Sequence, residues 1–213
     1  LGSASILEAV RDYKKPVVVV MITSDKAYDN VEWPWGYRET DRLGGKDPYS
    51  ASKGMAEIAI RAYVESYFRD IESNVRIGIA RAGNVIGGGD WAKDRVVPDC
   101  MRSWSEKNSV EIRNPNSTRP WQHVLEPLSG YLTLGISLHA NRDHHGEAYN
   151  FGPPAQQNHS VSELIVEMAK YWDHVRWNDV SESREHLHEA GLLKLNCDKA
   201  LFDLKWLPTL RFE

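Results

Sequence analysis

The chain has 213 residues, of which 41% are hydrophobic, and a formal net charge of −4 at pH 7. That length and composition suffice for one large globular domain, or a domain and a half, with a buried core. The acidic balance argues against a nucleic-acid or anionic membrane partner, and the lack of an apolar run of about 18 residues argues against a membrane span, so we expect a cytoplasmic protein.

The first part of the chain has the pattern of a doubly wound α/β fold. Residues 1–15 predict a helix that ends before Pro16, and the continuous apolar, β-branched run at 17–23 is typical of a strand buried on both faces of a parallel sheet. A polar loop at 24–47, a helix at 49–68 and a second buried strand at 75–80 follow. This order of helix, strand, long helix and strand predicts a partial, Rossmann-like parallel sheet.

The predicted elements become shorter after Gly83. Residues 83–94 hold four glycines and predict a loop. Beyond it we predict helices at 96–107, 126–139 and 160–172, strands near Val110 and Trp121, and a closing helix within 196–207. We therefore divide the chain into residues 1–83, which belong to the Rossmann-like domain, and residues 84–213, a smaller α+β portion with segments that return to the sheet.

A dinucleotide-binding turn is missing from the sequence. Such folds place a Gly-rich turn after their first strand, so that a pyrophosphate can lie at a helix amino terminus. The glycines at 87–89 are followed by Asp90 and Trp91 rather than by a helical pattern, and we reject them as a phosphate loop. The chain also starts within a predicted helix. We expect the first βα units of the sheet to precede Leu1.

The cysteines and histidines predict neither a disulfide framework nor a metal site. Cys100 and Cys197 are far apart, with no Cys or His at ligand spacing from either. Four histidines are expected to be solvated loop or helix residues rather than metal ligands: His144, His145, His186 and His188.

Two motifs carry the chemistry. Tyr49 and Lys53 stand four residues apart on a predicted helix and so share one face. A phenol is a poor base at neutral pH, but a fixed cation beside it favours the phenolate, and such a pair can accept a proton from a sugar hydroxyl. The second motif, Ser24-Asp25-Lys26, follows the first buried strand, and the carboxyl ends of parallel strands are where α/β sites form. Each motif alone also fits a surface pair or a polar turn.

Four segments together resemble the CDP-glucose 4,6-dehydratases, a family of NAD-dependent nucleotide-sugar dehydratases of the extended short-chain dehydrogenase type. They are Thr23-Ser-Asp-Lys-Ala-Tyr-Asp-Asn30, Asp47-Pro-Tyr-Ser-Ala-Ser-Lys53, Arg81-Ala-Gly-Asn-Val-Ile-Gly-Gly-Gly-Asp-Trp91 and Arg119-Pro-Trp-Gln-His-Val-Leu-Glu-Pro-Leu128. Similar enzymes that act on dTDP-glucose or GDP-mannose usually carry glutamate where this chain has Lys26.

The resemblance implies a catalytic role for each of five residues. Tyr49 would accept the O4 proton while C4 is oxidised, Lys53 would hold the nicotinamide ribose, and Ser24 would hydrogen-bond O4. Lys26 would act as base or proton mediator at C5, and Asp25 would protonate the departing O6 hydroxyl.

The resemblance also implies the binding residues. NAD would be held by Tyr49 and Lys53 together with Thr23 and Arg81. CDP-glucose would be held by four residues: Asn84, Arg95, Arg119 and Asn150. Arg119 and Arg95 are expected at the diphosphate, where a guanidinium can bind in bidentate fashion. The same resemblance implies a homodimer formed through the Tyr49 helix and a role in dideoxysugar and O-antigen biosynthesis.

Two other functions remain open at this point. The chain could belong to another nucleotide-sugar dehydratase or to an epimerase, although an epimerase needs no acid and base for elimination. It could also be an inactive binding fragment, because it lacks the Gly-rich cofactor turn.

Overall fold

The structure is a computed structural model that describes residues 1–182 and 191–212. Within these residues the elements run in the order α1 (Gly2–Asp12), β1 (Val17–Ile22), α2 (Pro48–Tyr63), β2 (Val75–Ala82), β3 (Val85–Ile86), α3 (Val96–Ser105), β4 (Val110–Ile112), β5 (Thr118–Arg119), β6 (Gln122–His123), α4 (Leu125–Ala140), β7 (Ala148–Phe151), β8 (His159–Ser160), α5 (Val161–Met168), β9 (Trp177–Asp179) and α6 (Asp198–Leu204).

The central sheet of the described residues has three parallel strands in the order β1, β2, β7. Val17 pairs with Val75 at one end of β1, and Ile79 pairs with Ala148 further along β2. Because all three strands run the same way, their carboxyl ends meet at one edge of the sheet. That edge is where the side chains predicted for catalysis follow β1.

Helices cover both faces of this sheet, which confirms the predicted doubly wound α/β fold. On one face, Leu7 of α1 and Ile60 of α2 pack with Ile77 and Ile79 of β2. On the other face, α4 and α6 pack on the sheet through a cluster that includes Leu134. Burial of an aliphatic side chain is worth about 1.5–3 kcal/mol, so these two layers hold the helices on the strands.

A smaller core lies beside the sheet. Cys100 and Trp104 of α3 pack with Val110 and Ile112 of β4 and with Ile165 of α5. The strands here form two-stranded pairs: β3 with β6 and β4 with β9 in parallel, and β5 with β8 antiparallel. This second core places α3 and β4 opposite the carboxyl edge of the sheet.

The helix that carries Tyr49 and Lys53 begins with a strong cap. The Asp47 side chain accepts a hydrogen bond from Ser50 N at 3.0 Å, and Pro48 occupies the first turn, where its missing N–H costs nothing. The α-helix ends at Tyr63 and continues as a single π-helical turn over Val64–Phe68. The prediction of one helix over 49–68 therefore needs this correction at its last turn.

Two elements differ from the sequence prediction in kind. The glycine-rich segment predicted as a loop contains β3, because Val85 and Ile86 pair with β6. Residues 148–151 form β7 and extend the sheet, although the sequence pattern predicts no strand there. Beyond residue 83, β7 belongs to the sheet, and α4 and α6 pack on it. The division of the chain at residue 83 stays a prediction.

Within residues 1–182 and 191–212, no helix is both long enough and apolar enough to cross a membrane. The same residues contain no group of three or more His, Cys, Asp or Glu side chains that could hold a metal ion. His144 and His145 are half-buried rather than solvated, since the first bonds the Tyr149 hydroxyl and the second accepts from Ile77 N. His186 and His188 lie outside the described residues.

Candidate active site

A cleft of about 640 Å³ opens at the carboxyl edge of the sheet. Its walls come from the residues that follow β1, from Tyr49 at the start of α2, and from the residues that follow β2. The opposite wall comes from the start of α3, from β4 and from Arg119 of β5. The cleft thus lies between the sheet and the smaller core, which is where ligands bind in open α/β sheets.

Ser24, Asp25 and Lys26 form a tight turn at the tip of β1. A 3₁₀ turn covers Asp25–Ala27, and Ser24 caps it: the Ser24 hydroxyl oxygen accepts from Lys26 N at 3.2 Å. The same hydroxyl donates to Asp25 Oδ1 at 2.9 Å. The cap therefore fixes the Asp25 carboxyl while leaving the half-buried Lys26 side chain at the cleft.

Asp25 is the buried acid of this site. Burial raises the pKa of its carboxyl, and the nearby Lys26 cation, the Ser24 hydrogen bond and the Arg119 cation oppose that shift without overcoming it. Its second oxygen, Oδ2, is buried and has no hydrogen-bond partner among the described residues. A carboxyl in this state favours its protonated form and can donate a proton.

Tyr49 lines the cleft, and Lys53 stands beside Tyr49 without lining the cleft itself. The Tyr49 side chain lines the cleft and is 55% exposed, so its phenol is open to a ligand. The Lys53 ammonium lies 5.5 Å from the centroid of the Tyr49 ring. The helical spacing that suggested this pair thus produces a phenol with a cation beside it.

Three arginines line the opposite wall of the cleft, Arg95, Arg113 and Arg119, and two of them, Arg95 and Arg119, were predicted there. Arg119 is only 4% exposed, and its Nη1 donates to the Thr118 carbonyl at 2.8 Å. Arg95 also lines the cleft but is exposed, in the residue before α3. A buried guanidinium that keeps one face toward a cleft suits a charged ligand group such as a diphosphate.

The remaining predicted residues divide into those inside the cleft and those outside it. Thr23 and Asn84 line the cleft, one after β1 and the other after β2. Arg81 and Asn150 do not: both are fully buried beneath it. Arg81 pairs with the carboxylate of Glu57, and Asn150 accepts from the Tyr28 hydroxyl at 2.7 Å. The sequence interpretation of Arg81 as a cofactor contact and Asn150 as a substrate contact therefore needs correction, because neither side chain reaches the cleft.

Sequence patterns miss two residues near the site. Tyr131 of α4 lines the cleft, and burial followed by the charge of Asp25 raises the pKa of its phenol to about 12. No local motif marks Tyr131, since its helix is recognised only from apolar periodicity. Glu57 could have been found, because it follows Lys53 by one helical turn on the same face of α2.

The residues present fit one end of NAD. The exposed Tyr49 phenol and the Lys53 ammonium beside it are hydrogen-bonding groups suited to ribose hydroxyls. The Gly-rich turn that would hold a pyrophosphate does not occur in the 213 residues. Tyr49 and Lys53 are thus the residues that would meet the nicotinamide ribose end of the cofactor.

The chain resembles known proteins in sequence over most of its length. The model of the NAD-dependent epimerase/dehydratase family matches residues 1–152. The chain is 46% identical over 212 residues to the CDP-glucose 4,6-dehydratase of Salmonella typhimurium, a match that covers 98% of this chain and 58% of that protein. The chain thus spans a little more than half the length of this relative.

Solved structures share the fold. The UDP-glucuronic acid 4-epimerase of Bacillus cereus, solved with UDP-glucuronic acid and NAD, matches 99% of this chain and 62% of its own with a TM-score of 0.82 at 18% identity. A double mutant of the dTDP-glucose 4,6-dehydratase DesIV from Streptomyces venezuelae, solved with NAD, matches 99% of this chain and 61% of its own with a TM-score of 0.78 at 19% identity.

Proposed function

Because the chain belongs to the NAD-dependent epimerase/dehydratase family, we propose that it carries the acid and base residues of a nucleotide-sugar 4,6-dehydratase whose substrate is CDP-glucose. The observation that carries the proposal is Asp25. Its carboxyl is buried, has a raised pKa and presents an unpartnered oxygen among the described residues, and it stands next to Lys26 in a cleft shared with Tyr49. An acid beside an amine is what elimination of water needs, whereas epimerisation at C4 needs neither.

The chemistry explains why a nicotinamide, an acceptor for the O4 proton and an acid-base pair for elimination must meet in one cleft. The C5 proton of a hexose is not acidic until C4 becomes a ketone. NAD, when bound, supplies the acceptor for the C4 hydrogen and the donor that reduces C6 at the end. Tyr49 would accept the O4 proton on its phenol oxygen, with the Lys53 ammonium 5.5 Å from the centroid of its ring.

The strand-tip residues serve the elimination. Lys26 would take the C5 proton as its uncharged amine, which leaves an enolate of the C4 ketone, and Asp25 would give its proton to the departing O6 hydroxyl, which leaves as water. In the structure the Ser24 hydroxyl donates to Asp25 Oδ1. Because the single O4 proton goes to Tyr49, Ser24 would turn its hydroxyl to donate to O4 when the sugar is bound. When C6 is reduced, Lys26 would return a proton to C5, so that the sequence of steps loses one water from the sugar and has no net redox change.

Arg119 and Arg95 support the choice of a nucleotide diphosphate as the remainder of the substrate. Both line the cleft on the wall across from Tyr49, and the chain as a whole is acidic, so these local cations are the groups suited to two phosphates. The choice of CDP rests on the likeness to the Salmonella protein and on Lys26, in place of the glutamate of similar enzymes that use other nucleotides.

We also propose a cytoplasmic homodimer that acts in dideoxysugar biosynthesis, of the kind that supplies O-antigens. Met55 and Ile58 of α2 are 62% and 59% exposed, and a second copy of α2 would cover them. Light scattering on the full-length protein should give twice the monomer mass. Met55→Glu should shift it to the monomer, and a monomeric wild-type protein would contradict the dimer.

The activity is tested directly with the full-length protein, NAD and CDP-glucose. We expect mass spectrometry to show a sugar nucleotide that has lost one water and, in heavy water, has gained one deuterium at C5. UDP-glucose and dTDP-glucose serve as matched substrates that should react more slowly. A product of unchanged mass with inverted configuration at C4 would instead identify an epimerase.

A further inference from the structure

The catalytic helix carries a third polar side chain on the face of Tyr49 and Lys53. Glu57 follows Lys53 by one turn of α2 and is fully buried. A buried carboxylate is costly unless it is paired and its oxygens are hydrogen-bonded. The partners of Glu57 therefore show what its burial achieves.

Both oxygens of Glu57 are bound, and each bond leads to the end of a strand. Arg81 of β2 donates from Nε to Glu57 Oε1 at 2.7 Å, and its Nη2 pairs with Oε2. Thr23, the residue after β1, donates from Oγ1 to Glu57 Oε1 at 2.7 Å. One carboxylate thus joins α2 to the carboxyl ends of two strands.

The guanidinium extends the connection to a third strand. Arg81 Nη1 donates to the Tyr28 hydroxyl at 2.6 Å, and that hydroxyl donates to Asn150 Oδ1 of β7 at 2.7 Å. Arg81, Asn150 and Tyr28 are at most 1% exposed. We call Thr23, Tyr28, Glu57, Arg81 and Asn150 the buried network.

The buried network adjoins the segments that form the cleft. Thr23 directly precedes Ser24, and Tyr28 follows Lys26 by two residues, so the network holds both ends of the acid-base turn. Arg81 precedes Asn84 by three residues on the adjoining wall. Each segment is bound to the same helix that carries the phenol.

We propose that Glu57 is a positioning residue, which acts through Arg81 and Thr23 to fix the separation between the Tyr49 phenol and the acid-base turn at Ser24-Asp25-Lys26. The inference rests on the proposed function for its reaction. A bidentate pair with Arg81 has little freedom to shift, and a misplacement of about 1 Å between reacting groups can cost roughly 100-fold in rate. A pair that served stability alone would not affect the rate per folded molecule.

The test substitutes Glu57→Gln in the full-length protein, which keeps the side-chain volume and removes the charge. We expect kcat for CDP-glucose to fall roughly 10- to 100-fold, with KM changed less than about 2-fold. Tyr28→Phe removes one hydroxyl of the buried network and should lower kcat in the same direction by a smaller factor. If Glu57→Gln does not fold, the kcat of Tyr28→Phe decides the test.

Leu138→Ala is the matched control for lost stability. Leu138 is fully buried on α4, on the other face of the sheet, and its truncation leaves a cavity away from the buried network. This variant should melt at a lower temperature and keep its kcat well below that temperature. If folded Glu57→Gln keeps the wild-type kcat, the Glu57–Arg81 pair is structural and the inference is overturned. Where Glu57→Gln does not fold, a wild-type kcat of Tyr28→Phe overturns it.

A second readout does not depend on activity. Amide hydrogen exchange should quicken in segments 23–30 and 47–56 of the Glu57→Gln protein, and should not quicken there in Leu138→Ala. If the wild type fails to convert CDP-glucose while Glu57→Gln loosens both segments, the proposed function fails and the positioning role stands. Unchanged exchange in both segments would overturn the positioning role alone.

Discussion

The Ser24 hydroxyl donates a hydrogen bond to Asp25 Oδ1 at 2.9 Å, whereas Asp25 Oδ2 is buried with no partner in residues 1–182 and 191–212. The two oxygens of one carboxyl therefore have different surroundings. The bonded oxygen holds the side chain in place, and the other has no hydrogen bond among those residues. Burial of the whole carboxyl raises its pKa, so the acid keeps its proton to a higher pH than an exposed aspartate.

The raised pKa of Asp25 predicts how stability depends on pH. Between the ordinary value of 3.8 and the higher pKa of the folded state, the unfolded chain has released this proton and the folded chain still holds it. The free energy of unfolding therefore falls as pH rises through that window, by about 1.4 kcal/mol for each pH unit that the window spans. Asp25→Asn cannot ionise and should be more stable than the wild type at pH 7.

Urea unfolding of the wild type and of Asp25→Asn at pH 4 and pH 7 measures this effect. The advantage of the variant should be larger at pH 7 than at pH 4. Asp12→Asn, at the exposed end of α1, is the control and should show little difference between the two pH values. An advantage that did not grow with pH would mean that Asp25 is not a buried acid.

The division of labour in the cleft predicts that oxidation and elimination can be separated. Tyr49→Phe should abolish both, because no group remains to take the O4 proton. Lys26→Met should still allow reduced nicotinamide to form on mixing with CDP-glucose, seen by its absorbance. Exchange of the C5 hydrogen with solvent and formation of product should fall roughly 100-fold or more. Normal turnover of Lys26→Met, or complete loss of its oxidation step, would remove Lys26 from the elimination.

Two of the arginines that line the cleft, Arg119 and Arg95, should differ in their effect on substrate binding. Arg119 is buried, so Arg119→Ala should raise KM for CDP-glucose by the equivalent of about 2–4 kcal/mol. Arg95 is exposed, and Arg95→Ala should cost less than about 1 kcal/mol. Steady-state kinetics compare both with Arg69→Ala, whose exposed side chain pairs with Glu65 on the π-helical turn. Equal effects of all three would argue against a diphosphate site at Arg119.

Two glycines of α4 predict opposite outcomes for the same substitution. A Cβ on Gly130 would lie 2.2 Å from Phe151 Cδ1, so Gly130→Ala should destabilise the protein by about 1–3 kcal/mol through overpacking. A Cβ on Gly135 would lie 3.7 Å from its nearest neighbour, Val20, and Gly135→Ala should be neutral or stabilising by up to about 1 kcal/mol. Thermal melting distinguishes them, and equal melting temperatures would contradict this account of the α4 packing.

Local patterns explain what could be predicted from the sequence. The apolar run at 17–23 predicts a strand buried on both faces. The strand forms and has helices on both sides, but only Met21 of β1 is buried and Ile22 is 57% exposed. The spacing of Tyr49 and Lys53 places both on one face of a helix because that spacing matches the helical turn. The residues after β1 could be expected at the cleft, since parallel strands end at one edge. Short elements such as β7 give too few residues for a periodic signal, and β7 carries the polar Asn150 in its interior.

By itself the sequence determined the class of fold, the helix that carries Tyr49 and Lys53 and the polar turn after β1, because each depends on neighbouring residues in the chain. Only the tertiary structure decided the place of Arg81 and Asn150. Arg81 meets Glu57 from another element, and Asn150 meets Tyr28 across 122 positions. A buried polar side chain must find a partner, and which partner it finds depends on how the elements pack, which no local pattern records.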